Sequence, residues 1–294
     1  MSTPLTYIFE FGEGSAKMRP FIMQEIASAG IKHIVLTNTL MKEILVDINM
    51  VQTLQQEAAA AGLSFVDSHA LFGMTYDLMN YGDSLHKHRT MLNKLQLNIA
   101  AEMGVKTITF HPGNEAARPE TPLSTLRDNV KRSLEDMLPE AEKCGVTICI
   151  ENSWNQISVP KPLWEIRNAF PTEHLGFCYD SGHANIMSGK GRHDPNNAAI
   201  ARWKVRGFDE VDWNDHILED LLDGVVNCHL HDNNAVSDQH LPPGQGNIDW
   251  KNIASLLKRA PRLKCIQSEV KIVQGGISFS KLSGIFNHIF NDEE

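Results

Sequence analysis

The chain has 294 residues and a formal net charge of −9 at pH 7, with 42% hydrophobic and 21% charged residues. This composition is typical of a globular protein with a large core, and the negative charge argues against a broad electrostatic surface for nucleic acid or for an anionic membrane. No uninterrupted apolar run approaches the roughly 18 residues that a membrane span needs. The first residues show no basic and apolar pattern of a secretory signal.

The cysteines indicate a reducing environment. There are five of them, an odd number, and no two have the CxxC spacing. Free thiols in predicted strands behave as small apolar side chains. We therefore expect reduced cysteines and a cytoplasmic protein.

Short apolar, β-branched runs alternate along the chain with longer amphipathic segments. The eight runs are residues 5–11, 33–38, 64–69, 107–112, 147–153, 175–181, 225–232 and 263–270. The clearest helical segments are residues 50–62, 85–104 and 123–145, in which apolar residues recur every three or four positions before a glycine.

Eight strands that alternate with helices predict a parallel sheet, and eight is the number that closes such a sheet into a (β/α)8 TIM barrel. A doubly wound open sheet is the alternative, disfavoured because no GxGxxG turn follows the first strand. We expect one α/β domain over residues 1–294. One excursion after the sixth strand, residues 186–215, is either a lid over a site or a surface insertion.

Unusual polar residues cluster at the carboxyl ends of the predicted strands and on the loops that follow them. These residues are His69, His111, Glu151, Asp180, His183, His229, Asp238, His240 and Glu269. In a parallel barrel the carboxyl ends of all strands converge on one face, where active sites lie. The sequence therefore predicts that these distant residues form one site.

The charges of that site predict a metal centre. Four converging carboxylates, Glu151, Asp180, Asp238 and Glu269, would not all stay ionised without a partner. Divalent cations remove the conflict. A mixture of imidazoles and carboxylates suits Zn²⁺, Mn²⁺ or Fe²⁺ better than Ca²⁺ or Mg²⁺.

Several neighbouring residues have two interpretations. His231 lies two residues after His229 on the same strand, so both can face inward, or His231 can support the ligands from outside their set. We expect Asp232 to orient a ligand histidine. His111 precedes Pro112 and could hydrogen-bond that turn, and Glu115 has no predicted role.

The motifs SHALFG, FHPG, IENSWN, CYDSGHAN, HLHDNN, DQHLPPGQGNIDW and SEV resemble those of the xylose-isomerase-like TIM barrel superfamily. The resemblance covers nearly the whole chain. This superfamily includes sugar and sugar-phosphate isomerases and epimerases as well as family 2 apurinic endonucleases. Its single-metal epimerases imply the ligands Glu151, Asp180, His229 and Glu269, whereas its trinuclear endonucleases imply all nine residues named above.

The resemblance implies two mechanisms. The first is an isomerase or epimerase of a small sugar or sugar phosphate that works through a metal-stabilised enediolate, with Glu151 and Glu269 as general acid and base. Its one to three ions would be Zn²⁺ or Mn²⁺. For this mechanism we predict the substrate-binding residues His183, His231, Trp154 and Arg192.

The second mechanism is a trinuclear phosphoesterase in which metal ions activate water. Phe72 stands where the endonucleases tend to carry a tyrosine, and SHALFG lacks their proline. The sequence also shows no DNA-penetrating loop. We therefore favour the sugar enzyme and consider a nucleic-acid partner unlikely, while monomer and homo-oligomer both stay open.

Overall fold

The computed structural model describes residues 3–13 and 15–291. Its centre is a closed barrel of eight strands in sequence order, and every neighbouring pair is parallel, including the first strand with the last. The strands are β1 (Leu5–Tyr7), β2 (His33–Leu36), β3 (Ser64–His69), β4 (Thr107–Phe110), β5 (Thr147–Glu151), β6 (Leu175–Asp180), β7 (Val225–Leu230) and β8 (Ile266–Ser268). The predicted TIM barrel is confirmed.

Helices connect the strands. They are α1 (Arg19–Ser28), α2 (Asn38–Val46), α3 (Met50–Ala61), α4 (His86–Glu102), α5 (Leu123–Cys144), α6 (Pro160–Arg167), α7 (Ser181–Met187), α8 (Ala198–Val205), α9 (Ile217–Leu221), α10 (Trp250–Leu257) and α11 (Phe279–Asn291). The three helices predicted most clearly, α3, α4 and α5, form where expected. Gly62 and Gly145 follow α3 and α5 in the left-handed conformation that stops a helix without a Cβ clash.

Several strands are shorter than the predicted runs, and the difference falls mainly at their carboxyl ends. β4 stops at Phe110 and β8 at Ser268, one residue before His111 and Glu269. The last residues of these runs therefore leave the sheet hydrogen bonding and turn into the mouth of the barrel. The predicted site residues of those strands lie at this transition.

The barrel interior below the mouth contains a buried polar network. Asp67 accepts hydrogen bonds from Thr107 at 2.8 Å and from Asn227 at 2.9 Å. Cys265 in turn donates to the side-chain oxygen of Asn227. Burial raises the pKa of Asp67 to about 6, although the neighbouring charge of His229 and these hydrogen bonds oppose the shift.

The predicted excursion, residues 186–215, is folded against the loops that follow β4 and β5. Trp203 on α8 donates its indole hydrogen to the backbone oxygen of Trp154 at 3.0 Å. Arg206 donates to the backbone oxygens of Arg118 and Thr121. These bonds make α8 a wall beside the barrel mouth, and a lid function for the segment stays a prediction.

All five cysteines lie in the described part of the chain and none is in a disulfide. Four of them are buried and Cys144 is half-buried. Among residues 3–13 and 15–291, no helix has both the length and the apolar character to cross a bilayer.

Candidate active site

A cavity of about 530 Å³ opens at the carboxyl ends of the strands. The predicted site residues that line it are His69, His111, Glu151, His183, Asp238, His240 and Glu269. The other two, Asp180 and His229, are fully buried beneath its floor. Phe72 and Trp154 add aromatic walls. The structure thus brings all nine predicted metal ligands together.

Glu151 at the end of β5 is the centre of the cluster. Its Oε1 lies 2.7 Å from His229 Nδ1, and its Oε2 lies 2.7 Å from His111 Nε2. His69 is adjacent, with 3.2 Å between its Nε2 and that of His111. His69, His111 and Glu151 each offer a ligand atom within 4.8 Å of the others, which is close enough to share one ion.

Asp180 and His183 form a second group with Glu151. Strand β6 ends at Asp180 and runs directly into α7, so Asp180 is the N-cap residue and its Oδ1 accepts the backbone N–H of His183 at 2.6 Å. The capping bond fixes the carboxylate at the start of the helix, and His183 follows on the first turn. Glu151, Asp180 and His183 also present ligand atoms within 4.8 Å of one another.

Asp238, His240 and Glu269 form the third side of the cluster. Asp238 Oδ2 lies 3.0 Å from His240 Nε2 and 3.7 Å from His183 Nε2. His240 adopts a positive φ of 51°, which is uncommon for a residue with a Cβ and costs free energy. The turn around His240 therefore aims its ring into the cluster at the expense of local backbone strain.

Three of the histidines are oriented as metal ligands usually are. The Nδ1 atoms of His69, His183 and His240 lie 2.8–2.9 Å from the backbone oxygens of Ala70, Asn152 and Glu269 respectively. Donation of the Nδ1 proton to these oxygens leaves the Nε2 lone pair directed at the cluster. A fixed tautomer of this kind is the common arrangement around a bound metal ion.

The electrostatics of the cluster also fit a cation centre. Burial alone would raise the pKa of Glu151, but the charges of His111 and His229 and their hydrogen bonds hold it well below its usual range. Burial alone would lower the pKa of His229, yet the charges of Glu269 and Glu151 raise it to about 10. Protons on imidazoles thus balance the carboxylates, and a divalent ion can replace them. The mixed nitrogen and oxygen donors suit Zn²⁺ or Mn²⁺.

The residues predicted to bind substrate divide into two pairs. Trp154 and His183 line the cavity, with the indole edge-on to the imidazole at 4.8 Å between ring centroids. His231 has no exposed surface, and Arg192 does not line the cavity. The Arg192 Nε donates to the ring of His193, on a turn beyond α7.

Asp232 has a different role from the predicted one. Its carboxylate accepts hydrogen bonds from the backbone N–H of Gly244 and from the indole of Trp250, both at 2.9 Å. Its contacts thus hold the glycine-rich turn after His240, and the expectation that Asp232 orients a ligand histidine was wrong. A carboxylate that is followed by a Gly-x-Gly turn was the available sequence signal.

Glu115 supports the site although the sequence predicts no role for it. It is completely buried, and its two oxygens accept the backbone N–H groups of Gln156 and Ile157 at 2.6 and 3.1 Å. These bonds fix the loop after β5 that carries Trp154. Nothing in the local sequence distinguishes Glu115 from an exposed loop residue, because its partners lie 41 and 42 positions away.

The chain is similar to solved structures of sugar epimerases. A D-tagatose 3-epimerase-like protein superposes with a TM-score of 0.71 at 19% identity, and the superposition covers 97% of this chain and 96% of that protein's chain. A 3-keto-D-glucoside 4-epimerase from E. coli has a TM-score of 0.69 at 13% identity, covering 98% and 99%. A Thermus thermophilus protein soaked with ZnCl₂ has a TM-score of 0.58 at 20% identity, covering 95% and 98%.

The chain also matches sequence relatives and a family model. An uncharacterised protein of Methanocaldococcus jannaschii is 26% identical over 198 residues, which is 66% of this chain and 60% of that protein, so the match spans under two thirds of the relative. The sequence model of the family described as xylose isomerase-like TIM barrel matches residues 23–266. The chain therefore belongs to the xylose isomerase-like TIM barrel family.

Proposed function

We propose that this protein is a divalent-metal-dependent isomerase or epimerase that acts on a small sugar or sugar phosphate. The observation that carries the proposal is the arrangement of Glu151 and Glu269. Both carboxylates line the cavity, and both approach the same nitrogen, His229 Nδ1, at 2.7 and 3.6 Å. Two carboxylates at one site allow one to remove a proton and the other to return it.

The positions of the two acids in the barrel support this division of work. Glu151 ends β5 and Glu269 follows β8, and three steps around a ring of eight strands separate β5 from β8. The carboxylates therefore enter the mouth from different sides. A substrate between them presents opposite faces of one carbon to Glu151 and Glu269, as a change of configuration at that carbon requires.

The residues of the site would also hold a metal ion and orient the substrate. Glu151, Asp180, His229 and Glu269 would hold the ion on which the reaction depends, and that ion supplies polarisation of a carbonyl and stabilisation of the negative charge that develops on its oxygen. His183 reaches the cavity surface and donates or accepts a hydrogen bond with a sugar hydroxyl. Phe72 and Trp154 exclude water from the apolar side of the ring.

The size of the cavity is consistent with such a substrate. Its volume of about 530 Å³ falls in the usual range for small-molecule sites. The segment containing α8 closes one side of the mouth through its bonds to Trp154 and Thr121. Two of the solved structures that superpose on most of the chain are described as a sugar epimerase or as similar to one.

The experiment that tests the proposal follows exchange of a substrate C–H proton with deuterated water. The purified protein, loaded with Zn²⁺ or Mn²⁺, is incubated with a panel of ketoses and their phosphates, and deuterium incorporation is read by mass spectrometry. Glu269→Gln should abolish exchange, whereas Glu120→Gln, at an exposed position, should leave it unchanged. Exchange that persists in Glu269→Gln would remove this residue from the acid–base role.

A second candidate function is a trinuclear phosphoesterase. The observation that favours it is the meeting of all nine predicted ligands, of which an epimerase of this family needs only four. His111 and His240 belong to the larger set alone. If the wild-type protein binds one metal ion per chain, and His111→Ala and His240→Ala leave that number unchanged, this candidate is excluded. Hydrolysis of a chromogenic phosphodiester without any C–H exchange would select it instead.

A further inference from the structure

His231 is a histidine of the cluster that the nine-ligand set leaves out. Side chains alternate along β7, so residues 227, 229 and 231 all point into the barrel, and His231 has no exposed surface. Its backbone is fixed by Ser181, whose hydroxyl donates to the oxygen of His231 at 2.8 Å and accepts its N–H at 3.0 Å. The imidazole of His231 is therefore held in place at the floor of the site.

The neighbours of the ring leave room for this imidazole. One face stacks on His240, with 4.1 Å between ring centroids and an angle of 22°. The ring also lies against Gly182, where an added Cβ would lie 2.0 Å from the Cε1 of His231. Any side chain at residue 182 would displace the ring. The start of α7 thus accommodates His231 in one position.

Three carboxylates surround the Nε2 of His231. The distances are 3.2 Å to Asp180 Oδ2, 3.7 Å to Asp238 Oδ1 and 3.8 Å to Glu269 Oε2. A tetrahedral zinc ion with bonds of about 2.1 Å places its ligand atoms roughly 3.4 Å apart. The three separations are close to that value, and two of them are too long for hydrogen bonds.

Each of the three carboxylates divides its oxygens in the same way. Glu269 directs Oε2 toward His231 and Oε1 toward His229, 3.6 Å away. Asp238 directs Oδ1 toward His231 and Oδ2 toward His240. Asp180 directs Oδ2 toward His231, while its Oδ1 caps α7. One oxygen of each of the three carboxylates thus lies within 3.8 Å of His231 Nε2.

We propose that His231 is a metal ligand and that its Nε2 shares a divalent cation with Asp180, Asp238 and Glu269. A single N–H on His231 reaches only Asp180, which leaves Asp238 Oδ1 buried without a hydrogen-bond partner among the described residues. An unpaired carboxylate oxygen in that position is costly. A divalent ion satisfies all three oxygens at once and removes the repulsion between them.

Within the described part of the chain, no hydrogen bond to Nδ1 selects the tautomer of His231. In contrast to His69, His183 and His240, its Nδ1 has no hydrogen-bond partner among the described residues, and the same is true of Nε2 in His229. When Nε2 binds the ion, the proton of the ring is carried by Nδ1. Neither tautomer is selected by a hydrogen bond from the far side of the ring.

The proposed position has four protein donors, and its imidazole is buried beneath the cavity floor. A site whose four positions are all taken by protein atoms leaves none for substrate or water, which is the pattern of a structural ion. The ion would act by holding the carboxylates of Asp180 and Glu269 in fixed positions. The proposal goes beyond the proposed function because this ion does not contact the substrate.

The test counts bound metal and does not use activity. Metal-free protein is reloaded with Zn²⁺, dialysed, and analysed for zinc per chain. We expect His231→Asn and His231→Ala to retain one equivalent less than the wild type, and His193→Asn, at an exposed histidine outside the cavity, to retain the same amount. Asparagine keeps an N–H donor for Asp180 but is a poor zinc ligand. A full complement of zinc in folded His231→Asn would therefore overturn the proposal.

A measurement on the wild type keeps the test decisive if both variants fail to fold. The protein is labelled with ¹⁵N-histidine and loaded with ¹¹³Cd²⁺. Scalar coupling between cadmium and the Nε2 of His231 is expected if this atom is a ligand, and an uncoupled His231 would overturn the proposal. Neither readout depends on the reaction, so loss of the His231 ligand and loss of the proposed isomerase chemistry are separate results.

Discussion

Glu151 at the end of β5 contacts His229 on β7 at the floor of the cavity, with 2.7 Å between Glu151 Oε1 and His229 Nδ1. In the absence of an ion, burial lowers the pKa of His229 but the charges of Glu269 and Glu151 raise it to about 10. The imidazole is therefore protonated at neutral pH in the metal-free protein. The proton occupies the side of the ring that a metal ligand would use.

Metal binding should consequently release protons. At about pH 7.5 an ion that binds His229 Nδ1 must displace its proton, so metal affinity should rise with pH below about 10. Calorimetric titration of the stripped protein with Zn²⁺ in two buffers of different ionisation enthalpy measures the number released. We expect at least one proton per chain, and fewer in His229→Gln. A heat that is the same in both buffers would contradict this prediction.

Asp67 should make the stability of the metal-free protein depend on pH. Burial raises its pKa from 3.8 to about 6, so the folded state holds a proton that the unfolded state has lost between these values. The free energy of unfolding should fall as pH rises through that window, by about 3 kcal/mol for a shift of roughly two units. In Asp67→Asn this contribution is absent.

The measurement compares wild type and Asp67→Asn by denaturant unfolding in the presence of a chelator. Relative to the variant, the wild type should be more stable at about pH 3 than at about pH 7.5, on either side of the window between the two pKa values. A constant difference between the two proteins over that range would show that Asp67 titrates normally. Because the comparison uses only the difference in the free energy of unfolding between the two proteins, the contributions of other acid-titrating groups cancel.

The sequence predicted the barrel and the meeting of the nine candidate ligands because both depend on regular features. Strand and helix periodicity fixed the number and order of the elements, and parallel strands bring their carboxyl ends to one face whatever their sequence separation. Glu151 and Glu269 could thus be placed together although they are 118 positions apart in the sequence. Strand alternation also placed His231 on the inner face.

Loop contacts could not be predicted in the same way. Glu115 is buried because a loop 41 residues away supplies its hydrogen-bond donors, and Arg202 reaches the cavity because α8 forms within the 186–215 segment. Neither contact follows from a periodic pattern in the sequence. The expectation for Arg192 rested on its membership of that segment alone, and the direction of a side chain on an irregular loop is set by tertiary packing.

Glu115 should stabilise the loop that carries Trp154. Glu115→Ala leaves the backbone N–H groups of Gln156 and Ile157 without acceptors, and each buried unpaired donor costs about 1–3 kcal/mol. We expect the free energy of unfolding to fall by at least about 2 kcal/mol. Glu120→Ala, five residues along at an exposed position, should have no effect. Equal unfolding midpoints for the two variants would exclude this role.

Arg202 should recognise an anionic group of the substrate, under the proposed function. It lines the cavity, and its side chain donates a hydrogen bond to the neutral side chain of Asn114, at 2.8 Å. A guanidinium with no carboxylate at salt-bridge distance among the described residues can bind a phosphate, and a charge-assisted hydrogen bond contributes about 1.5–3 kcal/mol. Arg202→Gln should therefore raise KM for a sugar phosphate about tenfold or more.

Arg192 is the matched control for this variant, since it belongs to the same segment but lies outside the cavity lining. Steady-state kinetics with a ketose and its phosphate should show a selective KM effect of Arg202→Gln on the phosphate and none from Arg192→Gln. Equal effects of Arg202→Gln on both substrates would mean that the arginine supports the fold of α8 rather than the substrate. A larger effect of Arg192→Gln on KM would instead require the 186–215 segment to rearrange over the cavity when substrate binds. That result would support the lid function that the sequence suggested.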